Sequence, residues 1–111
     1  MTAKRRIGDR EVYPVGLGCM NITHAYGPPM DEADAKALLV RALDLGYDFL
    51  DTATLYGFGR SEELIGQALK DRRDSYFLAS KCVLGFKDGQ RTLDARPEVI
   101  KAACEASLKR L

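Results

Sequence analysis

The stretch that decides the fold is residues 49–69, which read FLDTATLYGFGRSEELIGQAL. It begins as a short, mostly apolar run, the pattern of a strand that is covered on both faces. A carboxylate, Asp51, stands where this strand should end, and Tyr56 follows in a turn that contains glycine. Sites in parallel α/β folds are built at the C-terminal ends of the strands, so we expect both side chains to face such a site.

A second strand pattern, YFLAS over residues 76–80, ends in the same way. The residue that follows it is Lys81. Because the C-terminal ends of parallel strands meet at one edge of a sheet, we expect Lys81 to lie near Asp51 and Tyr56. The sequence therefore predicts an acid, a phenol and an amine at a common edge.

The chain alternates between strand and helix patterns. We predict a hairpin over residues 5–15, a first strand over residues 15–20 and a polar loop over residues 85–95. Apolar residues at helical spacing predict three helices, over residues 31–45, over residues 61–69 and from residue 97 onward. The order of strands and helices allows right-handed crossovers between parallel strands.

Residues at the predicted helix ends fit their positions. Asp31 and Ser61 can cap the first two helices, and Pro97 suits the first position of the third. The predicted apolar face of the first helix comprises Ala35, Leu38, Leu39, Ala42 and Leu45. The predicted inner face of the third helix comprises Ile100, Ala103, Cys104, Ser107 and Leu108.

Composition restricts the class of protein. The chain has 111 residues, 46% of them hydrophobic and 30% charged, with a net charge of +1. This balance suggests neither a nucleic-acid partner nor a membrane surface, and no apolar run approaches the roughly 20 residues of a membrane span. The basic N-terminus lacks the apolar core of a signal peptide. Three cysteines without clustered partners predict reduced thiols in a cytoplasmic protein and no metal site.

These motifs resemble those of the aldo-keto reductase family. The resemblance is carried by DTATLYGFGRSEELIGQAL (residues 51–69), LASK (residues 78–81) and VGLGCMN (residues 15–21), and it extends over residues 7–111. It implies a (β/α)8 TIM barrel, preceded by a short β-hairpin. Such a barrel needs roughly 250 residues. Residues 1–111 are therefore expected to form a partial domain of three βα units, in which the barrel is incomplete.

The resemblance also implies an activity, the reduction of aldehydes or ketones by hydride from NADPH. Tyr56 would be the general acid, Lys81 would lower the pKa of the Tyr56 phenol, and Asp51 would hold Lys81 by a charge-assisted hydrogen bond. Met20, Asn21 and Asp51 would bind the cofactor. The family's catalytic histidine lies at the end of the next strand, beyond Leu111. The one histidine here, His24, belongs to the first loop, at the rim of the substrate pocket or simply exposed.

Other interpretations remain beside the enzyme. GLGCMN over residues 16–21 approaches the dinucleotide-binding pattern GxGxxG, but Asn21 replaces the third glycine and no helix is predicted to start there. A non-catalytic half-barrel is the second alternative. Three βα units leave strand edges unpaired, so such a chain would persist by self-association as a homo-oligomer, or by complementation with the missing segments.

Overall fold

The computed structural model describes residues 3–23 and 27–111. A hairpin comes first, and three parallel strands then alternate with helices, as the sequence predicts. The strands are β1 (Arg5–Ile7), β2 (Arg10–Val12), β3 (Leu17–Gly18), β4 (Phe49–Asp51), β5 (Phe77–Ala79), β6 (Leu84–Lys87) and β7 (Gln90–Leu93). The helices are α1 (Glu32–Asp44), α2 (Arg60–Leu69) and α3 (Pro97–Arg110), with 3-10 turns at Met20–Ile22 and Lys70–Ser75.

A three-stranded parallel sheet is the centre of the fold. Its strand order is β3-β4-β5, so β4 is the middle strand. Leu50 of β4 pairs with Leu17 on one side and with Leu78 on the other. Because Leu50 has no exposed surface, the middle strand is buried as its apolar sequence predicts. The sheet does not close on itself within the described residues.

Helices α1 and α2 cover this sheet and supply most of the core. Leu39 of α1 and Leu64, Ile65 and Leu69 of α2 join Leu50 in one buried cluster. The predicted face of α1 is partly wrong. Leu38 and Leu45 are 40% and 61% exposed, whereas Leu43 is buried. Helical periodicity alone therefore misplaces part of the buried face of α1, which consists of Ala35, Leu39, Ala42 and Leu43.

The two predicted caps have different outcomes: the position of the first is confirmed, and the second is wrong. Asp31 is the N-cap of α1, but its side chain makes no capping hydrogen bond. The N-cap of α2 is Gly59, in the left-handed region at φ 92°, so the helix begins at Arg60, two residues earlier than a cap at Ser61 predicts. Ser61 consequently lies inside the helix, where its hydroxyl donates to the carbonyl of Cys19 (3.1 Å) instead of capping.

The segment predicted as a polar loop is an antiparallel hairpin, β6 and β7. Lys87 pairs with Gln90, and the two residues between them are Asp88 and Gly89. Both have positive φ, 52° and 77°. A type I′ turn needs this conformation at both central residues, and Asp-Gly is one of its preferred sequences. The Asp-Gly pair is therefore a local sequence signal for this hairpin, and the predicted loop is wrong.

The predicted inner face of α3 is wrong for three of its residues. Ala103 and Ser107 are half-buried, but Ile100, Cys104 and Leu108 are exposed. The close approach of α2 gives a physical reason. A Cβ added to Gly66 would lie 1.9 Å from the carbonyl oxygen of Arg110, so the two helices touch where α2 has no side chain. This contact places the last residue of α3 against α2.

In the two ranges that the structure describes, none of the helices has the length and apolar content needed to cross a bilayer.

Cys19 gives a test of this core. Burial raises the pKa of its thiol to about 12 from an ordinary 9.0, and the charge of Asp51 adds to the effect. A thiol whose pKa is raised by folding stabilises the fold fully below pH 9, and this contribution is lost as the pH rises toward 12. We expect the free energy of unfolding to fall over that interval, and to fall less steeply in Cys19→Ala. Parallel pH profiles for the two chains, measured by denaturant titration, would contradict the burial of this thiol.

Candidate active site

The parallel strands bring the predicted site residues to one edge of the sheet. Asp51 is the last residue of β4, and Lys81 lies two residues beyond the end of β5. The backbone continues to pair past the strands. The amide of Thr52 donates to the carbonyl of Ala79 (2.8 Å), and that of Thr54 donates to the carbonyl of Lys81 (3.1 Å). These bonds hold the two segments side by side where the strands end.

The side chain of Lys81 crosses from one segment to the other. Its Nζ donates to Asp51 Oδ1 (2.7 Å) and to the carbonyl of Thr52 (2.8 Å). The same Nζ lies 5.4 Å from the centroid of the Tyr56 ring. The acid, the amine and the phenol are therefore brought together, in the arrangement expected from strand ends in a parallel sheet.

Tyr56 is presented by a tight turn. Its amide donates to the carbonyl of Ala53 (3.1 Å), and its carbonyl accepts from the amide of Ser61 (3.2 Å) in the first turn of α2. The next residue, Gly57, has φ 64°, and a Cβ there would lie 2.8 Å from Cβ of Thr23. Glycine at this position therefore satisfies both the backbone conformation and a close approach.

The surroundings of Lys81 favour its charged form. Partial burial lowers the pKa of its ammonium, but the hydrogen bond and charge of Asp51, together with Tyr56, outweigh this effect. The net result is a pKa above the usual value of 10.5. Lys81 is thus a fixed cation beside a phenol.

A small cavity joins these side chains. Its volume is about 70 Å³, and its lining includes Tyr56, Lys81, Cys82 and Leu84. Pockets that enclose a small molecule usually measure about 300–1,000 Å³. The described residues therefore form one wall of a site and do not enclose a ligand.

Exposed apolar side chains continue outward from Leu84, one of the residues that line this cavity, and sequence reasoning missed them. Phe58 and Phe86 are 67% and 47% exposed, and their ring centroids lie 6.0 Å apart in an edge-to-face arrangement. Leu84, which lines the cavity, is 48% exposed and stands two residues from Phe86 on β6. Phe58 has φ 53°, an unfavourable value for a bulky side chain. The missed signal was the alternation of Leu84 and Phe86 before the Asp-Gly turn.

The residues predicted to meet the cofactor lie at the same edge. Met20 and Asn21 begin a 3-10 turn just after Cys19, whose amide donates to the carbonyl of Asp51 (2.9 Å). Met20 is half-buried and Asn21 is exposed. They therefore adjoin Asp51 through the backbone. The first α-helix begins only at Glu32, so the GxGxxG-like segment does not open a helix as a dinucleotide fold requires. His24 lies outside the described residues.

Of the cysteines, Cys82 lines the cavity and Cys104 is exposed. No cluster of three or more histidine, cysteine or acidic side chains suited to a metal ion is found in residues 3–23 and 27–111.

Comparison with known proteins gives a consistent result. The model of the aldo/keto reductase family matches residues 14–111. The NADP(+) aldo-keto reductase yakc of Schizosaccharomyces pombe is 42% identical, over 96% of this chain. The holo form of an aldo-keto reductase from Bacillus halodurans superimposes with a TM-score of 0.86 at 36% identity, over all of this chain. An aldo-keto reductase from Klebsiella pneumoniae, solved in complex with NADPH, gives a TM-score of 0.71 at 29% identity, over 99% of this chain.

These relatives are longer than this chain, which covers 32% of the yeast protein, 37% of the Bacillus protein and 35% of the Klebsiella protein. The fold described above corresponds to the N-terminal part of their TIM barrels, as the sequence predicts, and the open sheet agrees with a partial barrel. The family is one of oxidoreductases. On the family model and on these likenesses, the chain belongs to the aldo/keto reductase family.

Proposed function

We propose that this chain supplies the proton-donating part of a site that reduces aldehydes or ketones to alcohols with NADPH. Reduction of a carbonyl leaves negative charge on its oxygen, so a proton donor must stand beside it. Tyr56 is that donor, Lys81 is the cation that stabilises the phenolate left behind, and Asp51 holds Lys81 in place.

One observation carries this proposal. A single ammonium, Lys81 Nζ, is 2.7 Å from a carboxylate oxygen and 5.4 Å from the ring of Tyr56. Tyr56 itself contributes to raising the Lys81 pKa, so the two groups interact directly. A cation in this position stabilises a phenolate more than a neutral phenol, and so assists loss of the phenolic proton.

The described residues fit one end of the cofactor. A nicotinamide and its ribose carry an amide and hydroxyl groups, which the exposed amide of Asn21 and the partly exposed carboxylate of Asp51 can bind. Met20, half-buried beside them, offers an apolar contact to the ring. When bound, NADPH supplies the hydride. The phosphates need further partners, because Lys81, the cation of this site, is already paired with Asp51.

The apolar rim indicates the kind of substrate. Leu84 lines the cavity and is 48% exposed. Phe86, two residues further along β6, contacts Phe58, and both rings are exposed. A carbonyl compound with an aromatic or aliphatic group would cover this surface while its oxygen lies near Tyr56. Aromatic aldehydes are therefore suitable probes.

The decisive test removes only the phenolic hydroxyl. These 111 residues would replace the matching segment of the yeast relative, and NADPH oxidation with 4-nitrobenzaldehyde would be followed. We expect Tyr56→Phe to lower kcat by about 10²- to 10⁴-fold, the usual contribution of a general acid. The 111-residue chain alone should show little or no turnover, because it spans about a third of its relatives.

Tyr47→Phe is the matched control, since Tyr47 packs edge-to-face on Tyr13 at 5.8 Å, in a separate contact from that of Tyr56 with Lys81. This variant should keep its activity. Equal kcat values for Tyr56→Phe and Tyr47→Phe would exclude Tyr56 as the proton donor.

A second candidate is a non-catalytic half-barrel that associates with itself or with a complementary segment. Specific surfaces favour it. Leu108 and Ile100 are 72% and 38% exposed on one face of α3, and Leu93 of β7 is 77% exposed. Strands β3 and β5 each pair on one side only among the described strands. Apolar surface and unpaired edges of this kind favour association.

Size-exclusion chromatography of the 111-residue chain tests this candidate. If α3 mediates association, the chain should elute as an oligomer and Leu108→Lys should shift it toward the monomer. Leu45→Lys places the same charge on α1, at a residue of similar exposure (61%), and should leave the oligomer intact. Monomeric elution of the unmodified chain over a range of concentrations would rule out self-association.

A further inference from the structure

The fully buried polar side chains of the described residues lie just after β4 and in the first turn of α2, next to the candidate site in sequence. Apart from tyrosine and cysteine, three polar or charged residues have no exposed surface, namely Thr52, Ser61 and Glu62. The hydroxyls of Thr52 and Ser61 are hydrogen-bonded to each other (2.9 Å). Fully buried carboxylates are rare unless they are paired, so Glu62 requires a particular explanation.

The partners of Glu62 come from three separate parts of the chain. Its Oε1 accepts from Arg110 Nε (2.9 Å) and from the hydroxyl of Thr54 (3.2 Å), and its Oε2 accepts from the hydroxyl of Ser80 (2.8 Å). Arg110 also forms an ion pair with Oε1 at 2.8 Å. One carboxylate thus joins α2 to the loop before Tyr56, to the end of β5 and to the last turn of α3.

Two of these partners adjoin the residues of the site. Ser80 immediately precedes Lys81, and Thr54 stands two residues before Tyr56. The amide of Thr54 also donates to the carbonyl of Lys81 (3.1 Å), so the two segments bond to each other as well as to Glu62. Glu62 therefore fixes, through their hydroxyls, the backbone segments that carry the amine and the phenol.

Stability alone does not account for a buried carboxylate. Burial raises the pKa of Glu62, but the neighbouring hydroxyls of Ser107 and Ser80 and the guanidinium of Arg110 outweigh this effect and hold the pKa below its usual value. The group is thus ionised at neutral pH. A buried ion pair can often be replaced by packed apolar side chains without loss of stability. A carboxylate has one capacity that an apolar side chain lacks, because it accepts several hydrogen bonds in fixed directions.

We propose that Glu62 is a positioning residue, which sets the placement of Lys81 and Tyr56 through Ser80 and Thr54. The inference rests on the proposed function, since it concerns the groups to which that function assigns roles. Glu62 does not touch the reacting atoms.

The test reads the environment of Lys81 without requiring turnover. The side chain of Lys81 would be titrated by NMR in the 111-residue chain, with Lys81→Arg used to assign its signal. We expect Ser80→Ala and Glu62→Gln to let Lys81 titrate at a lower pH, because a displaced ammonium loses its contacts with Asp51 and Tyr56. Because Ser80→Ala removes no charge, any change that it causes in the pKa of Lys81 reports a change in the position of the Lys81 ammonium.

Glu63→Gln is the matched control. Glu63 is the neighbouring acid on α2 and pairs with Arg60 at 3.1 Å, so this variant removes the same charge outside the network. In the Glu63→Gln variant, Lys81 should titrate at the same pH as in the unmodified chain. The proposal is overturned if Ser80→Ala and Glu62→Gln lower the midpoint of thermal unfolding while Lys81 titrates unchanged, or if Glu63→Gln shifts Lys81 as much as they do.

A failure of the proposed function would look different. If the hybrid enzyme keeps its activity in Tyr56→Phe, Tyr56 is not the proton donor, while the titration of Lys81 still reports the network of Glu62. If Tyr56→Phe is inactive and Ser80→Ala leaves both Lys81 and kcat unchanged, the site functions without positioning by Glu62. In the expected case, Ser80→Ala lowers kcat of the hybrid more than it raises KM.

Discussion

The parallel pairing of β4 with both of its neighbours is the constraint on which the rest of the structure depends. Leu50 is fully buried between Leu17 and Leu78, and this register places Asp51 opposite Ala79. A slip of one residue would turn every side chain of β4 to the other face. Burial of Leu50 and placement of Asp51 beside the end of β5 are therefore two consequences of one register, and the site follows from the core.

Two ion pairs then secure the ends of the strands, in contrasting environments. Lys81 and Asp51 are both about half exposed, at 50% and 46%. Exposed pairs contribute little to stability, so this one is better understood through the placement of charge beside Tyr56. Glu62 and Arg110 form the buried counterpart, with Glu62 fully buried. The ammonium of the first pair lies beside the phenol of Tyr56. The carboxylate of the second accepts hydrogen bonds from the hydroxyls of Thr54 and Ser80.

Much of the arrangement could be predicted from local patterns, and the errors have two causes. The three parallel strands, α2 and the order of elements follow from apolar runs and helical spacing, and the strand ends collect Asp51, Tyr56 and Lys81 as parallel geometry requires. The cap of α2, the exposed face of α3 and the β6–β7 hairpin were missed or misassigned. Each depends on a neighbour distant in sequence or on a turn conformation, as with Arg110 against Gly66 and Asp88 before Gly89.

The sequence by itself determined the family, the strand-helix alternation and the three residues of the candidate site. These follow from residue types at short spacings, because a strand and the turn after it are encoded within a few residues. Only the tertiary structure decided that Glu62 is buried and joined to Arg110, a residue 48 positions away. It also decided that Phe58 contacts Phe86, which stands two residues from the cavity-lining Leu84. Such contacts depend on how whole helices and strands pack together. The residue pattern within one helix or strand does not specify which other element packs against it.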